Sequence, residues 1–145
     1  MTSNETIKIR KLDSKAKAPA RHSDGAAGYD LCSLEGGSIQ PNQIGRVRTG
    51  LSFSISEDLV GVVFGRSGLG LKHGLTVVDT RVYPRNSEEL VISVLNTSNS
   101  VFEYTAGYRI AQIVFIQTTC MPIEFVEEMD TTLRGESGFG STGVN

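Results

Sequence analysis

LVGVVFGRSGLG, residues 59 to 70, sets a short apolar run directly against a glycine-rich break. A continuous apolar run of this length, bounded by turn residues, reads as a buried strand rather than a helix. IAQIVFI, residues 110 to 116, repeats the pattern. On either side, TIKIRKL (6–12), RVRTGLSFSIS (46–56) and ELVISVL (89–95) alternate apolar with polar residues, the period of half-buried strands. Breaks fall at short intervals, at GGSIQPNQIG, GRSGLG, PRNSEE, NTSNS and TAG, and no segment sustains a period of 3.6. LVGVVF and IAQIVFI are expected to be buried on both faces. The fold class is all-β, a barrel or sandwich.

The 145 residues fit one domain, enough to bury about 68 to 70 % of the surface of the unfolded chain. Lys+Arg 14 against Asp+Glu 16 gives a net charge of −2, which supplies no general attraction for nucleic acid or anionic membrane. Phosphate binding must then be local. Six basic side chains crowd the first 21 residues (Lys8, Arg10, Lys11, Lys15, Lys17, Arg21), a pattern read as a solvated N-terminus. Cys32 and Cys120 have no CxxC partner, so a zinc site is not expected, and a disulfide stays open. The start lacks the apolar run of a signal peptide, and no stretch approaches a membrane span, so a soluble, intracellular protein is expected.

Four local elements suit phosphate chemistry. The tail RGESGFGSTG combines glycines, which let backbone N–H groups approach an anion, with the Arg134 fork and the Ser141 and Thr142 hydroxyls. Phe139, flanked by glycines, has no evident core to join and suits stacking on a base. A flexible tail is the plain alternative. Arg66 and Ser67 follow a strand end, where phosphate sites form, although a simple β-turn reads equally well. Asp30 in GAAGYDLCS is a phosphate-site acid or a turn cap, and Gln112 in GYRIAQIVF a site residue or a satisfied core glutamine.

In this order, AAGYDL, RSGL, GYRIAQ and RGESGFGSTG resemble the first, second, fourth and fifth motifs of the trimeric dUTP diphosphatase (dUTPase) family, with the likeness running from about residue 7 to 143. The resemblance implies a jelly-roll-like (β-clip) barrel over residues 1–133 and a Gly-rich arm over 134–145 that closes over the nucleotide. It implies a homotrimer, with each active site shared by three subunits, that hydrolyses dUTP to dUMP and diphosphate. Asp30 would hold Mg²⁺ through water. Arg66, Ser67 and Gly68 would grip the inner phosphates, and Gln112 would assist through water. Arg134, Ser141 and Thr142 would close on the terminal phosphate, Phe139 would cover the uracil, and Gly140 would bind substrate beside them.

The third family motif, roughly GVIDxDYxGE, is where the match fails. It forms a hairpin that reads uracil, supplies the water-activating Asp and sets a Tyr against deoxyribose. Without gaps, that Asp falls on Tyr83 and that Tyr on Asn86 in VVDTRVYPRNSEEL, residues 77 to 90. A shifted register would make Asp79 the base and Tyr83 the sugar platform, but it needs a four-residue deletion and a compensating insertion. The gap-free register is preferred, because the pattern of a half-buried hairpin fixes its register. Two functions follow: a working dUTPase, or a dUTPase-fold protein that binds a nucleotide or protein partner without efficient turnover. dCTP deaminase chemistry is disfavoured, since that family's catalytic Glu would fall near Ser93.

Overall fold

The computed structural model describes residues 6–130. In chain order its elements are β1 (Lys8–Lys11), β2 (Tyr29–Cys32), β3 (Gly37–Ile39), β4 (Ile44–Arg48), β5 (Leu51–Ser54), β6 (Leu59–Gly65), α1 (Ser67–His73), β7 (Leu75–Val77), β8 (Thr80–Val82), β9 (Val91–Asn96), β10 (Phe102–Tyr104) and β11 (Arg109–Gln117). The larger sheets run β2-β11-β6-β8 and β4-β9-β7, with the pairs β1-β5 and β10-β3 beside them. Every ladder is antiparallel. Strands adjacent in sequence are mostly not adjacent in a sheet, which is the crossing connectivity of a jelly-roll-like fold.

One apolar cluster ties the sheets together. Leu31, Ile39, Leu51, Ile92, Ile110 and Ile113 are its largest fully buried aliphatic side chains. Asn96 is equally buried, and its amide is used completely. Nδ2 donates to the carbonyls of Ile39 (2.9 Å) and Ser100 (2.8 Å), while Oδ1 accepts from the backbone N–H and hydroxyl of Ser98. No buried side-chain polar atom lacks a partner among the described residues.

The sequence pattern located the main strands, with four differences. RVRTGLSFSIS is two strands, β4 and β5, because Gly50 takes φ 70 between them and turns the chain. The GGSIQPNQIG break contains β3. GRSGLG opens helix α1 rather than a simple turn; at seven residues the helix is too short to show a period, and only Leu69 is buried. LVGVVF and IAQIVFI are not buried on both faces. Gly61, Val63, Ala111 and Ile113 face the core, whereas Val60, Val62 and Val114 are half-buried and Phe64 and Ile116 are 44 % and 42 % exposed. Among the described residues the sheet has a layer on one side only, so the other face keeps apolar side chains uncovered. No helix among the described residues is long and apolar enough to cross a membrane.

Candidate nucleotide site

Strand β11 pairs with β2 on one edge and β6 on the other, and this pairing assembles the polar site. Asp30 and Gln112 are direct register partners, so the two sequence candidates meet across a ladder. Asp30 lies in β2 and does not cap a turn. Gln112 is half-buried instead of sitting in the core, and its Nε2 donates to the Gly65 carbonyl at 3.5 Å. A Cβ at position 28 would stand 2.8 Å from Gln112 Oε1, so any larger residue at the second glycine of GAAGYD would push the Gln112 side chain from this place.

The Asp30 carboxylate is mostly enclosed, at 17 % side-chain exposure, and three cationic or ionisable side chains converge on it. Arg109 Nη1 lies 3.4 Å from Oδ2, and Arg66 Nε lies 4.0 Å from Oδ1. Arg66 is itself oriented by Nη1, which donates to the Arg109 carbonyl at 3.1 Å. His22 Nδ1 lies 2.7 Å from Oδ2. Ser67 and Gly68 follow directly as the first residues of α1. Burial pushes the nearby Cys32 thiol up, against the opposing pull of Lys17, Arg109 and Arg66.

Of the hairpin candidates, Tyr83 and Asn86 lie elsewhere, while Asp79 comes just before Thr80, the partner of Val63, and so lies toward the Gly65 end of β6. Asp79 is 70 % exposed, and Arg81 Nε donates to its Oδ1 at 2.8 Å. The Asp79 hydrogen bond, and then Tyr83, raises the Arg81 pKa above its ordinary value. Asp79, Arg81 and Tyr83 thus form one row, in keeping with two-residue spacing along an extended chain. Asn86 builds a turn: its N–H donates to the Tyr83 carbonyl at 3.1 Å, and its Oδ1 accepts from the Glu88 N–H at 2.9 Å. A cleft of about 350 Å³ opens beside this turn, lined by Thr80, Arg81, Val82, Asn86, Glu88 and Leu90 among others. Glu89 is already engaged, by Arg48 and by the Gly50 N–H.

The structure therefore brings Asp30, Arg66 and Gln112 together, with Ser67 and Gly68 adjoining, and sets Tyr83 and Asn86 apart from them. The candidates Arg134, Phe139, Gly140, Ser141 and Thr142 lie outside the described residues. Sequence reasoning missed two members of the cluster. Arg109 stood three positions before Gln112 in a stretch already singled out, so it was findable. His22 carried no local signal. No group of three or more His, Cys, Asp or Glu is arranged to hold a metal among the described residues.

An antiparallel β domain in which one enclosed acid, two arginines and a glutamine converge at a strand end has the groups to hold a phosphate, and known proteins define the class. The dUTPase family model matches residues 14–143. The deoxyuridine 5'-triphosphate nucleotidohydrolase of Encephalitozoon cuniculi is 49 % identical over 144 residues, covering 99 % of each chain. That of Antonospora locustae is 36 % identical, covering 98 % of this chain and 99 % of its own. A mutant dUTPase of Staphylococcus bacteriophage 80alpha, solved with dUpNHpp, superposes with a TM-score of 0.81 at 26 % identity, covering 97 % of this chain and 100 % of its own. The chain belongs to the dUTPase family.

Proposed function

We propose that the chain is a dUTP diphosphatase, hydrolysing dUTP to dUMP and diphosphate. The observation that carries this reading is the convergence of Asp30, Arg66 and Gln112 across β2, β11 and the end of β6. In the reaction, water attacks the α-phosphorus and the bond to the bridging oxygen of the β-phosphate breaks. Arg66, with Ser67 and Gly68, holds the inner phosphates and neutralises charge that builds on their oxygens. Gln112 orients water beside Asp30. The arm 134–145, beyond the domain 1–133, closes with Arg134, Gly140, Ser141 and Thr142 on the phosphates and Phe139 on the uracil, excluding bulk water. The cleft beside Asn86 takes the base and sugar end of a nucleotide.

A single enclosed carboxylate among phosphate-binding groups fits Mg²⁺, which binds through one or two carboxylates, several waters and the substrate's own phosphate oxygens. Asp30 would hold it through water. When bound, Mg²⁺ supplies charge neutralisation along the triphosphate.

The working unit is a homotrimer with shared sites. Its support is the apolar face of β6 and β11 left uncovered among the described residues and the distance between Tyr83 and Arg66 within one chain. The gap-free register places Tyr83 where a general base would stand, so turnover is slower by about 10²–10⁴-fold than with a positioned carboxylate. A second reading, nucleotide or partner binding without efficient turnover, is favoured by the pairing of Asp79 with Arg81. A diphosphate-release assay with dUTP and Mg²⁺ separates the two: sustained release supports the enzyme, and saturable binding without release supports the second reading.

A further inference from the structure

We propose that His22 is a positioning residue for Asp30, setting the carboxylate for the water shell of the ion and holding it off Arg66; this rests on the function proposed above. Asp30 has two oxygens and three suitors. His22 Nδ1 takes Oδ2 at 2.7 Å, shorter than the 3.4 Å from Arg109 to the same oxygen and the 4.0 Å from Arg66 to Oδ1. The imidazole makes one close contact, to a single oxygen. A guanidinium makes a planar fork that matches both carboxylate oxygens at once. With His22 in place, His22 and Arg109 both close on Oδ2, while Arg66 stays 4.0 Å from Oδ1. Without it, rotation of the carboxylate into a two-pronged pair with Arg66 or Arg109 becomes the best available arrangement. That pair would occupy both Asp30 oxygens and leave neither for the ion's water shell.

The position of His22 explains how it can act this way without supporting the fold. It stands in the loop ahead of β2 with its side chain 51 % exposed, while the backbone nearby is fixed separately by the Asp30 N–H donating to the Ala20 carbonyl at 2.8 Å. Removing the imidazole therefore changes what Asp30 does rather than where β2 lies. Groups that orient a metal's ligand from outside its shell typically alter metal affinity or activity by about 10–100-fold when removed.

The test is the affinity for the imido analogue dUpNHpp, measured across a Mg²⁺ titration and again in EDTA, for wild type, His22→Ala and His22→Asn. The Asn amide nitrogen can stand near the position of Nδ1 and donate to Oδ2. In EDTA the three should bind alike. With Mg²⁺, His22→Ala should need about tenfold more of the ion to reach half of its effect, and His22→Asn should recover most of the difference. In an Asp30→Asn background, His22→Ala should change nothing further. An Mg²⁺ dependence unchanged in His22→Ala, an equal loss in EDTA, or an undiminished effect in the Asp30→Asn background would overturn the proposal while leaving the function standing. A wild type that does not bind dUpNHpp with or without Mg²⁺ would overturn the functional reading and this proposal with it.

Discussion

Tyr83 and Arg66 lie at opposite ends of strand β6. Val82 is the register partner of Gly61, and Arg66 comes five residues further along from Gly61, which is about 17 Å at a strand's rise per residue. A group acting on the α-phosphorus and an arginine holding the inner phosphates must sit within a few ångströms of one nucleotide. Tyr83 and Arg66 of the same chain do not meet that condition. In the proposed homotrimer the hairpin of one copy serves the arginine of another, so light scattering should report the mass of three chains. A stable monomer at micromolar concentration that is fully active would contradict it.

Arg66→Lys should lower kcat/KM by about 10- to 100-fold, the scale of a lost hydrogen bond to a charged group. Lysine keeps the charge but not the fork, and its ammonium cannot serve the Arg109 carbonyl and a phosphate in the same geometry. Melting should change little, since the ion pair to Asp30 is long, at 4.0 Å. Steady-state kinetics beside a thermal scan tests both halves.

Asn96→Ala should destabilise the fold by about 2–4 kcal/mol. The substitution strands the Ile39 and Ser100 carbonyls and the Ser98 N–H, all now served by one buried amide. Denaturant unfolding at constant m-value measures it.

Asp58 supplies a pH signature. The Ser56 hydroxyl donates to its Oδ1 at 2.6 Å and is the main cause holding this carboxyl below the usual range, with Gln117 assisting. The folded group binds its proton less tightly than the unfolded one. Its stabilisation is therefore present above the unfolded value, about 4, and is lost as pH falls through the lower folded value. Ser56→Ala should melt below wild type near neutral pH, and the gap should close toward about pH 2. A gap that is constant with pH would assign the loss to packing instead.

The two registers of the hairpin predict opposite signs. With Tyr83 at the base position, Tyr83→Asp, ideally with Asn86→Tyr, should raise turnover by something approaching the 10²–10⁴-fold range, about the contribution of a positioned general base. With Asp79 as the base, the same change lowers activity and Asp79→Asn abolishes it. Single-turnover rates on the three variants decide between them.

The strand framework was legible because alternation and short apolar runs record which face of a sheet is wet, and LVGVVF and IAQIVFI became neighbouring strands β6 and β11. Helix α1 was not legible, since two glycines in SGLGLKH weaken helix propensity and seven residues hide any period. The half-covered face of β6 was misread for a different reason. Val60, Val62 and Phe64 are as apolar as a doubly buried strand would be, and sequence does not say whether a second layer belongs to the same chain. Asp30, Arg66 and Gln112 were each visible as chemistry, but only the β2-β11-β6 ladder put them together. His22 was invisible because a loop residue reaches its partner by a route that no periodicity encodes.

The most direct test is the release of diphosphate from dUTP by the purified chain in the presence of Mg²⁺. The account predicts sustained release, one diphosphate for each dUMP formed, lost on chelation of the metal and greatly reduced in Asp30→Asn. A folded protein that releases no diphosphate above the buffer rate under these conditions would contradict it.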